Sequence, residues 1–101
     1  MSEVAGRGRT KARLVGVDLQ DSEDNHAIVE AIQADNPDVT VTRMPGLVKL
    51  RTPGELVIRQ ASVADRLGRD WETHEFQISI VSYSGNISDW DDEKIVIKWE
   101  H

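Results

Sequence analysis

Short apolar runs, broken by Pro-Gly pairs and by clusters of Asp, Asn and Ser, organise this chain. In Leu14–Leu19, Val15, Val17 and Leu19 alternate with Gly16 and Asp18, the period of a half-buried strand. A polar stretch, Gln20–Asp24, leads to Ile28, Val29 and Ile32 at helical spacing, and Asp24 or Asn25 is suited to cap that helix. Pro37 disfavours helical backbone at Asn36 and ends it. The β-branched run Val39–Met44, then Leu47–Arg51 and Glu55–Gln60, reads as three strands joined by Pro45-Gly46 and Pro53-Gly54, an antiparallel meander. Ser62-Val63-Ala64-Asp65 has the form of a capping box opening a short helix that Gly68 terminates. Phe76, Ile78 and Ile80 alternate, predicting a strand that runs on through Tyr83 to a turn at Ser84-Gly85-Asn86. Trp90-Asp91-Asp92-Glu93 reads as an acidic loop, and Ile95, Ile97 and Trp99 as a last strand. The order is β-α-β-β-β-α-β-β. This is an α+β fold, one compact domain with two helices packed on a largely antiparallel sheet.

Composition narrows the class. At 101 residues the chain suits one domain, with a core of modest size. No run approaches the ~20 apolar residues of a membrane helix, and the first residues hold no apolar signal segment. The absence of cysteine excludes disulfides, thiolate metal sites and a thiol nucleophile. A cytoplasmic location is expected.

Charge is uneven. Of 12 basic and 18 acidic side chains, Arg7, Arg9, Lys11 and Arg13 face only Glu3 within residues 1–13. The rest holds 8 basic and 17 acidic groups, which disfavours nucleic acid as a partner and suits docking on a basic protein surface. Residues 1–13 read as a flexible basic N-terminal arm and 14–101 as the folded domain.

No catalytic set emerges. His26, His74 and His101 lie on separate elements at no metal-binding spacing, and Asp89, Asp91, Asp92 and Glu93 lack the alternation of a calcium loop. Phosphate-binding loops, nucleophile elbows and dinucleotide fingerprints are missing too. The residues describe an acidic binding module, expected to hold no metal and no cofactor. A small enzyme built from scattered carboxylates is the alternative of another class.

The wording of several segments is similar to one family. Ile28-Val29-Glu30-Ala31-Ile32 precedes Asp35-Asn36-Pro37, followed by Pro45-Gly46-Leu47-Val48-Lys49-Leu50, Leu56-Val57-Ile58-Arg59 and Leu67-Gly68-Arg69. Phe76-Gln77-Ile78-Ser79-Ile80, Ser84-Gly85-Asn86, Asp91-Asp92 and Trp99-Glu100 complete the series. Together, over roughly residues 14–101, they resemble the effector, or coupling, proteins of bacterial soluble di-iron monooxygenases.

The resemblance implies a cofactor-free, non-catalytic regulator. Its partner would be the large α subunit of a di-iron hydroxylase, working with a reductase. Docking would tune O2 activation, substrate access and the coupling of electron use to oxidation. Segment wording leans to propane or another small alkane, with a phenol or aromatic hydroxylase as the alternative. A generic acidic binding module unrelated to oxygenases is the rival. Ser82, Tyr83, Ser84, Gly85 and Asn86 match the family segment facing the hydroxylase. Asn36 is either a contact or a helix terminator, and Arg69 either pairs with a partner's acid or caps helix carbonyls. Trp90 is the expected aromatic anchor, while Trp71 is expected in the core.

Overall fold

The structure, a computed structural model, describes residues 13–99. The basic arm, apart from Arg13, and the last two residues lie outside the described residues. The elements are β1 (Leu14–Gln20), α1 (Glu23–Asp35), β2 (Thr40–Met44), β3 (Leu47–Pro53), β4 (Glu55–Arg59) and α2 (Gln60–Leu67). A 3-10 turn (Thr73–Glu75) then runs into α3 (Phe76–Ser79), and β5 (Ile80–Ser84), β6 (Asn86–Trp90) and β7 (Lys94–Lys98) follow. The class is α+β as expected, and every strand pair is antiparallel.

The strands form two sheets rather than one. The first has four strands in the order β2-β3-β1-β5, and the second has three, β4-β7-β6. The expected meander therefore stops after its first hairpin. At Pro53-Gly54 the chain leaves the first sheet for the second instead of folding back, and the Gly54 N–H donates to the Arg13 carbonyl (2.9 Å). Gly54 has φ 81°, a conformation that favours glycine. A second corner, at Gly85 (φ 118°), joins β5 to β6. A Cβ there would lie 2.9 Å from Ile97 and 3.1 Å from Val15, so the two sheets close tightly on that glycine.

One continuous core joins both sheets and the helices. Val15, Val17, Leu19, Val48 and Leu50 of the first sheet meet Leu56, Ile58, Ile95 and Ile97 of the second, with Ile28 and Ile32 of α1 and with Trp71 and Phe76. Each such side chain contributes roughly 1.5–3 kcal/mol on burial, against the entropy of ordering the chain. Among the described residues, no helix is long and apolar enough to cross a membrane.

Local details depart from the sequence reading. Helix α1 is capped by Ser22, whose hydroxyl accepts from the Asn25 N–H (3.3 Å). Asn25 itself is buried and donates its amide to the Gln20 carbonyl (2.7 Å). Helix α2 begins at Gln60, directly from β4, without a side-chain cap, so Ser62 and Asp65 lie inside it. Gly68 ends it in the left-handed conformation, as expected. Of the alternating residues, Phe76 and Ile78 lie in a helical turn, and the extended backbone begins only at Ile80. Glu72 and Glu75 form a reciprocal capping box that starts the 3-10 turn. Two residues of a helix turn the side chain by about 200°, so Phe76 is buried while Ile78 is 78% exposed.

Candidate functional site

The segment Ser82–Asn86 runs along β5 and around the Gly85 corner. Strand β5 pairs with β1 on one side only, with Gly16 opposite Ser84, Val17 opposite Tyr83 and Asp18 opposite Ser82. A register shift at Asp18–Leu19 inserts an extra residue and turns the strand. Its outer edge is unpaired among the described residues. Of the five large apolar side chains that are exposed among the described residues, Ile78 (78%), Val81 (55%) and Tyr83 (49%) fall within six residues here. Exposed apolar groups along an open edge make this ribbon the candidate for an interaction surface.

A polar chain on the outer face of the first sheet secures this strand. Ser82 Oγ donates to Asp18 Oδ2 (2.6 Å), and Arg51 Nη1 lies 2.9 Å from Asp18 Oδ1. Arg51 also donates to the carbonyls of Val17 (3.2 Å) and Leu50 (3.0 Å). Burial pushes the Asp18 carboxyl up. The contacts from Arg51 and Ser82, with the positive charges of Arg51 and Lys49, outweigh it and hold the carboxyl below its usual range. Gly16 makes room for this crossing, since a Cβ would stand 1.8 Å from the Leu50 carbonyl oxygen and 2.9 Å from Arg51 Cδ.

The other expected site residues are distributed. Arg69, half-exposed, reaches Asp24 of α1 (3.6 Å) and Glu75 of the 3-10 turn (3.7 Å), and donates to the Asp70 carbonyl. It lines the same small hollow as Ile78 and Ser79, so it adjoins the start of the exposed ribbon. Asn36 is 6% exposed. Its amide donates to the carbonyls of Ile32 (2.8 Å) and Val57 (2.8 Å), and its Oδ1 accepts from the Val57 N–H (2.9 Å). It acts like one residue of a further strand, closing the edge of β4 and fixing the end of α1 to it.

Trp90 ends β6 rather than sitting in a loop. It is half-buried and packs edge-to-face on Phe76, with ring centroids 6.4 Å apart. With Trp71, Thr73, His74 and Asp92 it lines a cleft of ≈ 410 Å³. Strand register puts Trp90 opposite Ile95 and Asn86 opposite Lys98, at opposite ends of the second sheet. Trp71 is in the core as expected. The acidic segment after Trp90 is an ordered turn. Asp91 Oδ1 accepts from the N–H groups of Glu93 (2.8 Å) and Lys94 (2.9 Å), and these bonds hold its carboxyl below the usual range.

The structure thus gathers Ser82, Tyr83, Ser84, Gly85 and Asn86 into one ribbon, with Arg69 at its approach, and leaves Asn36 and Trp90 elsewhere. Ile78, Val81, Asp18 and Arg51 are its additions. Helical spacing from Phe76, started by Glu72 and Glu75, is the signal that would have turned Ile78 outward. Among the described residues, no group of three or more His, Cys, Asp or Glu side chains is placed to hold a metal ion. What the ribbon offers chemically is apolar contact, hydroxyls and free backbone groups.

A family model described as the MmoB/DmpM family matches residues 13–98. The chain is 33% identical over 88 residues to the stimulatory component DmpM of phenol 2-monooxygenase from Pseudomonas sp. (strain CF600), covering 87% of this chain and 97% of that protein. It is similar to a chain in a solved phenol hydroxylase–regulatory protein complex, with a TM-score of 0.82 and 33% identity over 87% of this chain and all of that one. The soluble methane monooxygenase regulatory protein B shares the fold, with a TM-score of 0.69 at 20% identity, over 94% of this chain and 71% of that one.

Proposed function

The chain belongs to the MmoB/DmpM family, and on that premise we propose that it is the non-catalytic regulatory component of a multicomponent di-iron monooxygenase. Its partner is the hydroxylase of that system, and its site is the ribbon from Ile78 to Asn86. The observation that carries this reading is the exposed series of Ile78 on α3 and Val81 and Tyr83 on the edge strand β5 that follows it. Ser82, Ser84 and Asn86 supply polar contacts within the same ribbon, and Gly85 shapes its corner. Arg69, already close to two carboxylates, frames its start, and Trp90 adds an aromatic surface at the end of the second sheet away from Asn86. Asn36 serves from inside by fixing α1 to β4.

A binding component changes its partner's chemistry only by preferring one of the partner's conformations. A tenfold preference is worth about 1.4 kcal/mol, within reach of one or two buried apolar anchors. The chain then contributes binding free energy, and the hydroxylase holds the metal and performs the oxidation.

The expectation of propane or another small alkane draws no support from the relatives above. Their phenol systems support the alternative, a phenol or aromatic hydroxylase. A cytoplasmic location goes with that reading.

The test is reconstitution with a phenol hydroxylase and its reductase, following phenol oxidation and product formed per electron pair consumed. The expected outcome is a saturable rise in rate, in coupling, or in both. Val81→Asp with Tyr83→Ser should raise the half-saturating concentration at least about tenfold, without altering the thermal unfolding of the free chain. If saturating wild-type chain leaves both rate and coupling unchanged, the reading is wrong.

A further inference from the structure

We propose that Asp18 is a positioning residue for the docking ribbon, holding β5 in register by joining Arg51 on β3 to Ser82 on β5, so that the Arg51–Asp18–Ser82 chain sets how tightly the ribbon engages its partner. The proposal rests on the regulatory reading above for its docking half and on geometry alone for its structural half.

Strand β5 has little else to fix it. It is five residues long, pairs with one neighbour, and its ladder is interrupted at Asp18–Leu19. Two of its side chains, Val81 and Tyr83, are turned largely to solvent. A short, bulged edge strand with few buried side chains is prone to local opening. Against this, Asp18 sits opposite Ser82 and takes its hydroxyl at 2.6 Å. The same carboxylate is gripped by Arg51, itself held over Gly16 by two main-chain carbonyls. The anchor therefore spans three strands of the sheet. The charged groups facing Asp18 are Arg51 and Lys49 of β3, and β5 faces it with the neutral Ser82. The ion pair with Arg51 and the hydrogen bond from Ser82 both weaken when the carboxylate takes up a proton, since each depends on its negative charge.

The experiment follows amide hydrogen exchange in the free full-length chain, residue by residue, from about pH 7 to about pH 3, a span that covers carboxylate titration. Wild-type protein should lose β5 protection toward the acid end while β3 keeps its own. Asp18→Asn, which leaves an oxygen for Ser82 but removes the charge, should open β5 about tenfold more readily at neutral pH and abolish that pH dependence. In the reconstituted phenol hydroxylase assay, the same variant should raise the half-saturating concentration severalfold and leave the rate at saturation unchanged. Should Asp18→Asn not fold, Ser82→Ala carries the exchange measurement, because it cuts the last link at an exposed position. Unaltered β5 exchange in either folded variant overturns the proposal. Faster β5 exchange with an unchanged half-saturating concentration also overturns it, by separating the strand's anchoring from docking. Wild-type chain that fails to stimulate the hydroxylase refutes the regulatory reading instead, and the docking half falls with it while the exchange result still decides the anchor.

Discussion

Replacing Asn36 by alanine removes three hydrogen bonds at one point: two donated by its amide, to Ile32 and Val57, and one accepted from the Val57 N–H. Each is worth about 1 kcal/mol net, so the expected loss is about 3 kcal/mol. Water can reach half-buried Val57 once the amide is gone, so no further penalty for stranded groups is added. For a domain of this length each kcal/mol shifts the melting temperature by about 4–8 °C, giving a fall of about 12–24 °C. The loss is also a large share of the ~5–15 kcal/mol that holds such a domain together. Thermal unfolding by circular dichroism, with urea titration at constant m value, measures it directly. Asn36→Asp sharpens the test. It keeps the acceptor for Val57 but points a second carboxylate oxygen at two carbonyl oxygens, which disfavours ionisation and raises that group's pKa in the folded state. The variant should therefore be less stable at neutral pH and recover as pH falls. Well below its melting temperature, Asn36→Ala should stimulate the hydroxylase like wild type, because the residue is buried. A melting-temperature drop under about 4 °C would refute the reasoning, showing that solvent replaces the amide at no cost.

Gly16→Ala should be among the most damaging single substitutions. The new methyl meets a main-chain oxygen of β3 rather than a flexible side chain, so β1 and β3 must part. A loss of about 3 kcal/mol or more is expected in urea unfolding, at the upper end for overpacking. Acid stability follows from Asp18. Its folded pKa lies below the unfolded value, so the stability it contributes is present above the unfolded carboxylate range, about pH 4, and is lost as pH falls through the folded pKa. Asp18→Asn should flatten that part of the acid limb of a stability–pH curve, and an unchanged limb would show that other carboxylates dominate it.

Local periodicity made most elements legible, and its failures have identifiable causes. Val15, Val17 and Leu19 declare β1 because the ladder to β3 is unbroken. Strand β6 went unread because its bulge between Ile87 and Asp89 sets the inward residues Ile87 and Trp90 three apart, not two. At Phe76–Ile80, an apolar residue at every second position is compatible with a single helical turn, and the decisive signal lay upstream in Glu72 and Glu75. Pro53-Gly54 reads as a hairpin whichever strand follows, and only the partner of β4, far along the chain in β7, reveals the change of sheet. The ribbon Ser82–Asn86 was legible because it is contiguous. The role of Asn36 was not, since its partner Val57 is 21 residues away. The exposure of Ile78 and the grip of Arg51 on Asp18 likewise depend on contacts that no local window contains.

The edges of β4 and β5 are finished differently. That of β4 is sealed by the Asn36 amide, while that of β5 is open and flanked by Val81 and Tyr83. An open apolar edge offers the same backbone groups to a second copy of the chain as to a cognate surface. Stoichiometry in the cell then becomes a matter of solubility. An edge covered by a partner is withdrawn from such pairing, whereas an uncovered one leaves its backbone groups available for it. The bulge and the five-residue length of β5 restrain such pairing, and a longer, flatter strand there would turn overproduction into precipitation.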